Sequence, residues 1–215
     1  MGGSLPPLTL PELRRQLTAV TALDLPDSVY AALHLHYAEL RRWNPRLSLV
    51  GPGTVSHVLE RHYGESLAAL ALLRPSDRRL VDLGSGAGFP GLVIAAARPS
   101  IEVTLVEARA RKWAFLQSAV RRSGLSCRCL NARVGRSLPE GFPDEVDVLT
   151  SRAVAITPAL FEAFRDGSPR TRLLLWQGRS RAPLPPGWTV SRELPLKESE
   201  HRRILEIRFD RTTDR

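Results

Sequence analysis

The sequence predicts an α/β protein in which a small helical cap precedes one mostly parallel sheet. Three observations support this prediction. From Arg79 onward, short apolar runs typical of strands alternate with segments of helical spacing, and such alternation favours a parallel sheet. The first of these runs ends abruptly in a glycine-rich turn. Residues 1–75 show helical spacing instead of strand-like runs.

The apolar runs predict seven strands, at 79–84, 102–107, 126–131, 146–151, 171–177, 188–195 and 202–209. Helices are expected between them at 90–98, 109–123 and 157–166. The last two strands follow each other closely, and seven strands with this ending look like the topology of class I methyltransferases, in which a final hairpin adds one antiparallel strand.

The first 75 residues predict three helices. Leu10 to Leu23 has helical spacing, a second helix starts near Asp27 and ends before Pro45, and a third spans 54–73 until Pro75 stops it. We therefore expect a helical cap over 1–75 and a sheet domain over 76–215, which can form one compact unit.

The turn after the first strand is the most informative stretch. It is compatible with two ligand classes. Read as Gly86-x-Gly88-x-x-Gly91, it fits the loop that binds the pyrophosphate of a dinucleotide. Asp82-x-Gly84-x-Gly86-x-Gly88 resembles motif I of class I methyltransferases, which bind S-adenosylmethionine.

Two acids help to separate these classes. Glu107 ends the second strand, where its lone pairs suit both hydroxyls of a ribose in either class. Asp82 favours S-adenosylmethionine, since an anion at the first strand tip would repel a pyrophosphate but suits the cationic methionine end.

Composition narrows the setting. The 215 residues include 31 Lys and Arg against 22 Asp and Glu, a net charge of +9 that favours a polyanionic partner such as nucleic acid. Only Lys112 and Lys197 are lysines, so genome-wide arginine bias is the competing explanation. Since no apolar run reaches membrane-span length and the first thirty residues show no signal-peptide pattern, we expect a cytoplasmic protein without a membrane partner.

A metal site is not expected. Cys127 and Cys129 share one face of a strand without enough further ligands for zinc, which indicates small buried side chains. His34 and His36 are expected to be surface or hydrogen-bonded core residues.

Five separated motifs resemble one family, glucose-inhibited division protein B, the bacterial small-subunit ribosomal RNA guanine-N7 methyltransferase. They are WNPRLSL at 43–49, HYGESL at 62–67, DLGSGAGFPG at 82–91, RKWAFL at 111–116 and SRAVA at 151–155. The resemblance covers roughly residues 43–207, and the Phe-Pro of the glycine loop is a feature that generic methyltransferases lack.

The resemblance implies a class I, Rossmann-like methyltransferase fold, S-adenosyl-L-methionine as cofactor, and small-subunit ribosomal RNA or the 30S subunit as partner. Together with the residue patterns it predicts a cofactor site made by Asp82, Gly84, Gly86, Gly88, Phe89, Glu107, Val134, Gly135 and Arg152. Arg152 is expected to position the cofactor or a phosphate. A monomer is favoured, although the sequence leaves the oligomeric state open, and Arg111, Lys112 and Arg133 are either RNA-facing or simply solvated.

The predicted chemistry needs no general base, because guanine N7 carries an in-plane lone pair and no proton. The sequence also lacks the [N/D]-P-P-[Y/F] motif of exocyclic-amine methyltransferases after its fourth strand. Four positions depart from the family pattern, namely Ser48, Glu65, Gly135 and Gln177. Two alternatives therefore stay open: a class I methyltransferase acting on a small molecule or protein, and an RNA-binding protein with a degenerate cofactor site.

Overall fold

A seven-stranded sheet forms the centre of the protein. The computed structural model describes residues 4–152, 157–179, 183–197, 199 and 201–210. In them the strand order is β3-β2-β1-β4-β5-β7-β6. The strands are β1 (Arg79–Leu83), β2 (Glu102–Val106), β3 (Cys127–Leu130), β4 (Val148–Ser151), β5 (Arg172–Gln177), β6 (Trp188–Pro195) and β7 (Arg203–Phe209).

Strand direction agrees with the sequence prediction. The pairs formed by β1 to β5 are parallel, whereas β7 runs antiparallel to both β5 and β6. All seven predicted strands are therefore confirmed, each within two residues at either end. The carboxyl ends of the five parallel strands meet at one edge, where open α/β sheets bind ligands.

Helices cover both faces of the sheet. Leu80 and Leu105 face a buried cluster that contains α4 (Gly91–Ala97), α5 (Ala110–Ser123) and the cap, whereas Val81 and Leu149 face α6 (Pro158–Gly167). Alternate strand residues thus point to opposite apolar layers. The prediction of helices at 90–98, 109–123 and 157–166 is confirmed.

The cap consists of α1 (Leu10–Thr21), α2 (Asp27–Leu47) and an irregular helical segment. That segment passes from a 3₁₀ helix (Pro52–His57) through a π-helix (Leu59–Gly64) and α3 (Glu65–Ala68) to a second 3₁₀ turn (Ala69–Leu72). The single regular helix expected at 54–73 is therefore wrong in regularity, although its position is right. Within this segment Gly64 packs closely against α1, since a Cβ there would lie 2.9 Å from Val20 Cγ1.

The prediction that α2 ends before Pro45 is also wrong, because the helix continues to Leu47. Pro45 removes only one backbone donor, and it lies in the last turn of the helix. Two bonds at the end compensate: the amide of Ser48 donates to the carbonyl of Asn44, and Asn44 Oδ1 accepts from the amide of Val50 at 2.8 Å.

The cap packs directly on the sheet layer and contacts the glycine loop. His36 is buried, with Nε2 2.9 Å from the carbonyl oxygen of Ala87 and Nδ1 2.8 Å from the hydroxyl of Tyr63, so it is the hydrogen-bonded core histidine that was expected. Because a carbonyl only accepts, Nε2–H donates to Ala87 and Nδ1 accepts from Tyr63. No helix in the described part of the chain is long and apolar enough to cross a bilayer.

Candidate active site

The loop after β1 is tied to the neighbouring strand by its backbone. The amides of Gly84 and Ser85 donate to the carbonyl oxygen of Val106 at 2.8 and 3.1 Å. Gly84, Gly86 and Gly88 have φ values of 69°, 53° and 87°, which L side chains rarely adopt. The helix that follows packs unusually close, since a Cβ on Gly91 would lie 2.6 Å from Asp82 Cβ.

The structure places Asp82 behind this loop instead of in the cleft that the loop borders. Its side chain is fully buried, Oδ1 accepts from Thr150 Oγ1 at 2.7 Å, and Oδ2 accepts from the amide of Gly91 at 3.2 Å. Direct contact with the methionine end of a cofactor, as expected from sequence, is not the geometry observed. Asp82 holds the turn between β1, β4 and α4.

Burial raises the pKa of Asp82 to about 6, against the opposing effect of its hydrogen bonds. A carboxyl with a raised folded-state pKa stabilises the fold below its unfolded value of about 4 and loses that contribution as pH rises through about 6.

Replacing Asp82 with Asn should remove this dependence. Relative to wild type, the free energy of unfolding of Asp82→Asn should rise by about 2–3 kcal/mol between pH 4 and pH 7. Urea denaturation at several pH values measures it, and a constant difference between the two proteins would show that Asp82 does not titrate in this window.

Glu107 occupies the tip of β2 at the border of the cleft. Its Oε2 accepts from the amide of Gly86 at 3.0 Å and its Oε1 from the amide of Arg109 at 2.8 Å. A carboxylate has about four acceptor sites, so both oxygens keep a lone pair for further donors such as ribose hydroxyls. Glu107 thus joins the loops after β1 and β2.

These loops line a cleft of about 480 Å³ at the carboxyl edge of the sheet. That volume lies within the range of about 300–1,000 Å³ for ligand pockets. Glu107, Arg109 and Val134, from the loops after β2 and β3, line one end of the cleft. The other end is lined by residues after β4, from α6 and from the cap, namely Arg152, Leu160, Leu49 and His62. The glycine loop lies between the two ends, because β1 lies between β2 and β4.

Arg152 follows β4 and belongs to a cluster of charges. Its Nη2 donates to Glu65 Oε2 at 2.8 Å and also to the carbonyl of Arg61, and Glu65 Oε1 lies 2.8 Å from Nη1 of Arg202 and 3.3 Å from Nε of Arg61. Burial lowers the pKa of Arg152 and raises that of Glu65. Three guanidinium groups thus surround one carboxylate, and the buried Nη1 of Arg152 has no hydrogen-bond partner. The cluster carries positive charge available to a ligand.

Of the residues predicted for the site, Gly84, Gly86, Phe89, Glu107, Val134 and Arg152 line the cleft. Gly88 is buried and faces His36, while Gly135 is exposed beside the cleft. Ala153, Val154 and Ala155 of the SRAVA motif lie outside the described residues.

Sequence reasoning missed His62, Leu49 and Arg109 as lining residues. The position of His62 at the head of the HYGESL motif was the available signal. Lys112 also lines the cleft.

The cysteines lie away from the cleft. Burial raises the pKa of Cys127 to about 12 and that of Cys129 to about 11, consistent with partly buried apolar side chains. Among the described residues, no group of three or more His, Cys, Asp or Glu side chains could hold a metal ion.

The sheet order, the glycine loop after β1 and the carboxylate after β2 define a class I methyltransferase that depends on S-adenosylmethionine. The cleft fits this cofactor, because Glu107 retains lone pairs for a ribose and Arg152 presents an unpartnered donor. A family model described as rRNA small subunit methyltransferase G (GidB) matches residues 29–183. The chain belongs to this family.

Curated relatives agree with this assignment. A protein of Methylorubrum populi named Ribosomal RNA small subunit methyltransferase G is 35% identical over 82% of this chain and 86% of its own length. One of the same name from Methylobacterium sp. is 46% identical over 60% of this chain, and that alignment spans 62% of the relative's length.

Solved structures support the fold alone. A mutant of MtNAS in complex with S-adenosylmethionine has a TM-score of 0.57 at 15% identity, over 94% of this chain and 77% of that chain. The mitomycin 7-O-methyltransferase MmcR has a TM-score of 0.54 at 18% identity, over 92% of this chain and 67% of that chain.

Proposed function

We propose that this protein transfers the methyl group of S-adenosylmethionine to N7 of a guanine in small-subunit (16S) ribosomal RNA. Membership of the family, together with the names of the relatives, supports the RNA substrate. The proposed setting is the cytoplasm, and the proposed acting form is a monomer that contacts RNA or the 30S subunit.

One observation carries the choice of N7. At the β4 end of the cleft, the described lining side chains offer no effective proton acceptor at neutral pH. Arg152 is a guanidinium, and burial together with Arg152 and Arg61 lowers the pKa of His62 to about 3. Attack by an exocyclic amine or a hydroxyl would need a proton removed, whereas N7 needs only alignment.

The residues of this chain would act by positioning. S-adenosylmethionine supplies a methyl group on a cationic sulfur. Glu107 would accept the ribose hydroxyls, Val134 and the glycine loop would enclose the nucleoside, and Arg152 would hold an anionic or carbonyl oxygen at the opposite end. Arg152 is unsuited to binding N7 itself, because a donor there would occupy the lone pair that must attack.

The test is methyl transfer by the purified protein from labelled S-adenosylmethionine to small subunits isolated from a strain without this gene. We expect label in N7-methylguanosine after digestion to nucleosides. Label in another nucleoside would overturn the N7 assignment. If no label enters RNA, calorimetry with S-adenosylmethionine separates an active methyltransferase with another substrate from a protein whose cofactor site is degenerate.

RNA affinity should fall steeply with salt. Residues 98–136 contain nine basic side chains against the acids Glu102 and Glu107, and Arg109 and Arg133 of this segment line the cleft. Each phosphate contact should contribute about −0.7 to −0.9 to the slope of log K against log salt. Filter binding with the Arg109→Ala/Arg133→Ala double variant should therefore show a slope shallower by about 1.4–1.8.

Arg98 and Arg128 provide the matched control, because neither lines the cleft. Arg98 follows the carboxyl end of α4, and Arg128 lines a separate cavity near the amino-terminal ends of β1 and β2. Their double replacement by Ala should leave the slope unchanged. Equal slopes for wild type and both double variants would mean that Arg109 and Arg133 make no phosphate contacts and reflect only the arginine-rich composition of the chain.

A further inference from the structure

His62 lines the cleft on a segment whose backbone is unusual. It lies in the π-helical stretch Leu59–Gly64, and π-helical turns are rare and frequently found at functional sites. Its imidazole stacks on Phe89 of the glycine loop, with ring centroids 5.0 Å apart and an interplanar angle of 28°. The edge of Phe89 is in turn held by Tyr63 at 4.9 Å and His36 at 5.3 Å. Phe89 thus holds the His62 ring in place, and Tyr63 and His36 hold Phe89 in place.

The hydrogen bonds around His62 determine which ring nitrogen carries the proton. Nε2 lies 3.0 Å from Thr54 Oγ1, and the hydroxyl of Thr54 donates to the carbonyl of Gly51 at 3.1 Å. A carbonyl only accepts, so the single hydroxyl proton points to Gly51, and Nε2–H must donate to Oγ1. Nδ1 then carries a lone pair.

His62 lies in the same cleft as the residues proposed to hold the cofactor. Glu107 and Val134 mark the nucleoside end of the cleft, and His62 lies at the opposite end with Arg152. Both bases carry an N–H donor on the Watson–Crick edge, but the group at N1 differs: guanine presents N1–H, a donor, whereas adenine presents a lone pair at N1 beside its 6-amino group. An imidazole fixed as an acceptor and aligned with N1 would bind guanine and face the repelling lone pair of adenine.

We propose that His62 selects guanine over adenine by accepting, through Nδ1, a hydrogen bond from N1–H of the target base. This inference rests on the proposed function and adds a specificity-determining residue to it. His62 takes no proton from the base in this role, because the reaction releases none.

Two variants separate the acceptor from the ring. His62→Phe keeps the aromatic stack on Phe89 and removes the acceptor, while His62→Asn loses the ring but can place an amide oxygen near the position of Nδ1. With small subunits as substrate and saturating S-adenosylmethionine, His62→Phe should lower kcat/KM about 10- to 100-fold, the effect of one lost hydrogen bond in a recognition site. His62→Asn should retain activity within about fivefold of wild type.

Thermal melts and calorimetry with S-adenosylmethionine provide the controls, and both variants should match wild type in cofactor affinity. His62→Leu, which also lacks the acceptor, replaces His62→Phe if that variant does not fold. Three outcomes would overturn the proposal: His62→Phe within twofold of wild type, an equal loss in the Phe and Asn variants, or a weakened cofactor affinity in the Phe variant. A wild-type protein that methylates no guanine would instead contradict the proposed function itself.

Discussion

Replacing Arg152 with Ala is expected to lower kcat for ribosomal RNA methylation by about 100-fold or more, as the loss of one preorganised donor does in other active sites. The reason is geometric. Nη2 of Arg152 is committed to Glu65 and to the carbonyl of Arg61, and Nη1 is buried without a partner at the border of the cleft. A ligand oxygen would complete the guanidinium fork.

Arg152→Lys should be nearly as damaging as Arg152→Ala, because one ammonium cannot bind Glu65 and the ligand in the same fixed geometry. Folding should survive both changes, since Glu65 keeps Arg61 and Arg202 as ion partners. Single-turnover methyl transfer, with thermal melts alongside, measures the effect. Arg170→Lys, at an exposed position that is not among the residues lining the cleft, is the matched control. Near wild-type turnover in Arg152→Lys would mean that charge alone matters at this position.

Replacing Glu107 with Ala is expected to weaken S-adenosylmethionine binding by about 10- to 100-fold, the effect of losing charged hydrogen bonds worth about 1.5–3 kcal/mol. Its carboxylate fixes the amides of Gly86 and Arg109 and keeps lone pairs for the ribose. The variant therefore loses both the ligand contact and the support of the glycine loop.

Calorimetric titration measures this effect, and Glu102→Ala is the matched control. Glu102 lies at the other end of the same strand with an exposed side chain, 3.7 Å from Arg79. Its replacement should leave the affinity unchanged. A Glu107→Ala protein that binds the cofactor as tightly as wild type would contradict the assignment of the cleft.

The sheet could be predicted from sequence because its signals are local. Each buried strand is a short apolar run, and the turn between Leu83 and Gly91 is marked by its glycines. The irregular course of the cap segment could not be predicted, because its apolar residues have the spacing of a regular helix and its contacts with distant residues, such as that of Gly64 with Val20, leave no mark on that spacing.

The site was predictable where a residue ends a strand and unpredictable where the cap contributes. Glu107 and Arg152 follow β2 and β4, so topology alone brings them to the cleft. Asp82 lies one residue before the end of β1, but its carboxylate accepts hydrogen bonds from Thr150 and Gly91, and only the packing of α4 and β4 reveals this. His62 reaches the cleft through the docking of a distant segment, which no local spacing encodes.

The proposed function is tested most directly by primer extension over small-subunit ribosomal RNA after cleavage at N7-methylguanosine. RNA from wild-type cells should show one stop that is absent from cells lacking this gene. The stop should return with the wild-type gene and not with the Arg152→Ala gene. A stop of equal strength in cells without the gene would contradict the assignment of guanine-N7 methylation to this protein.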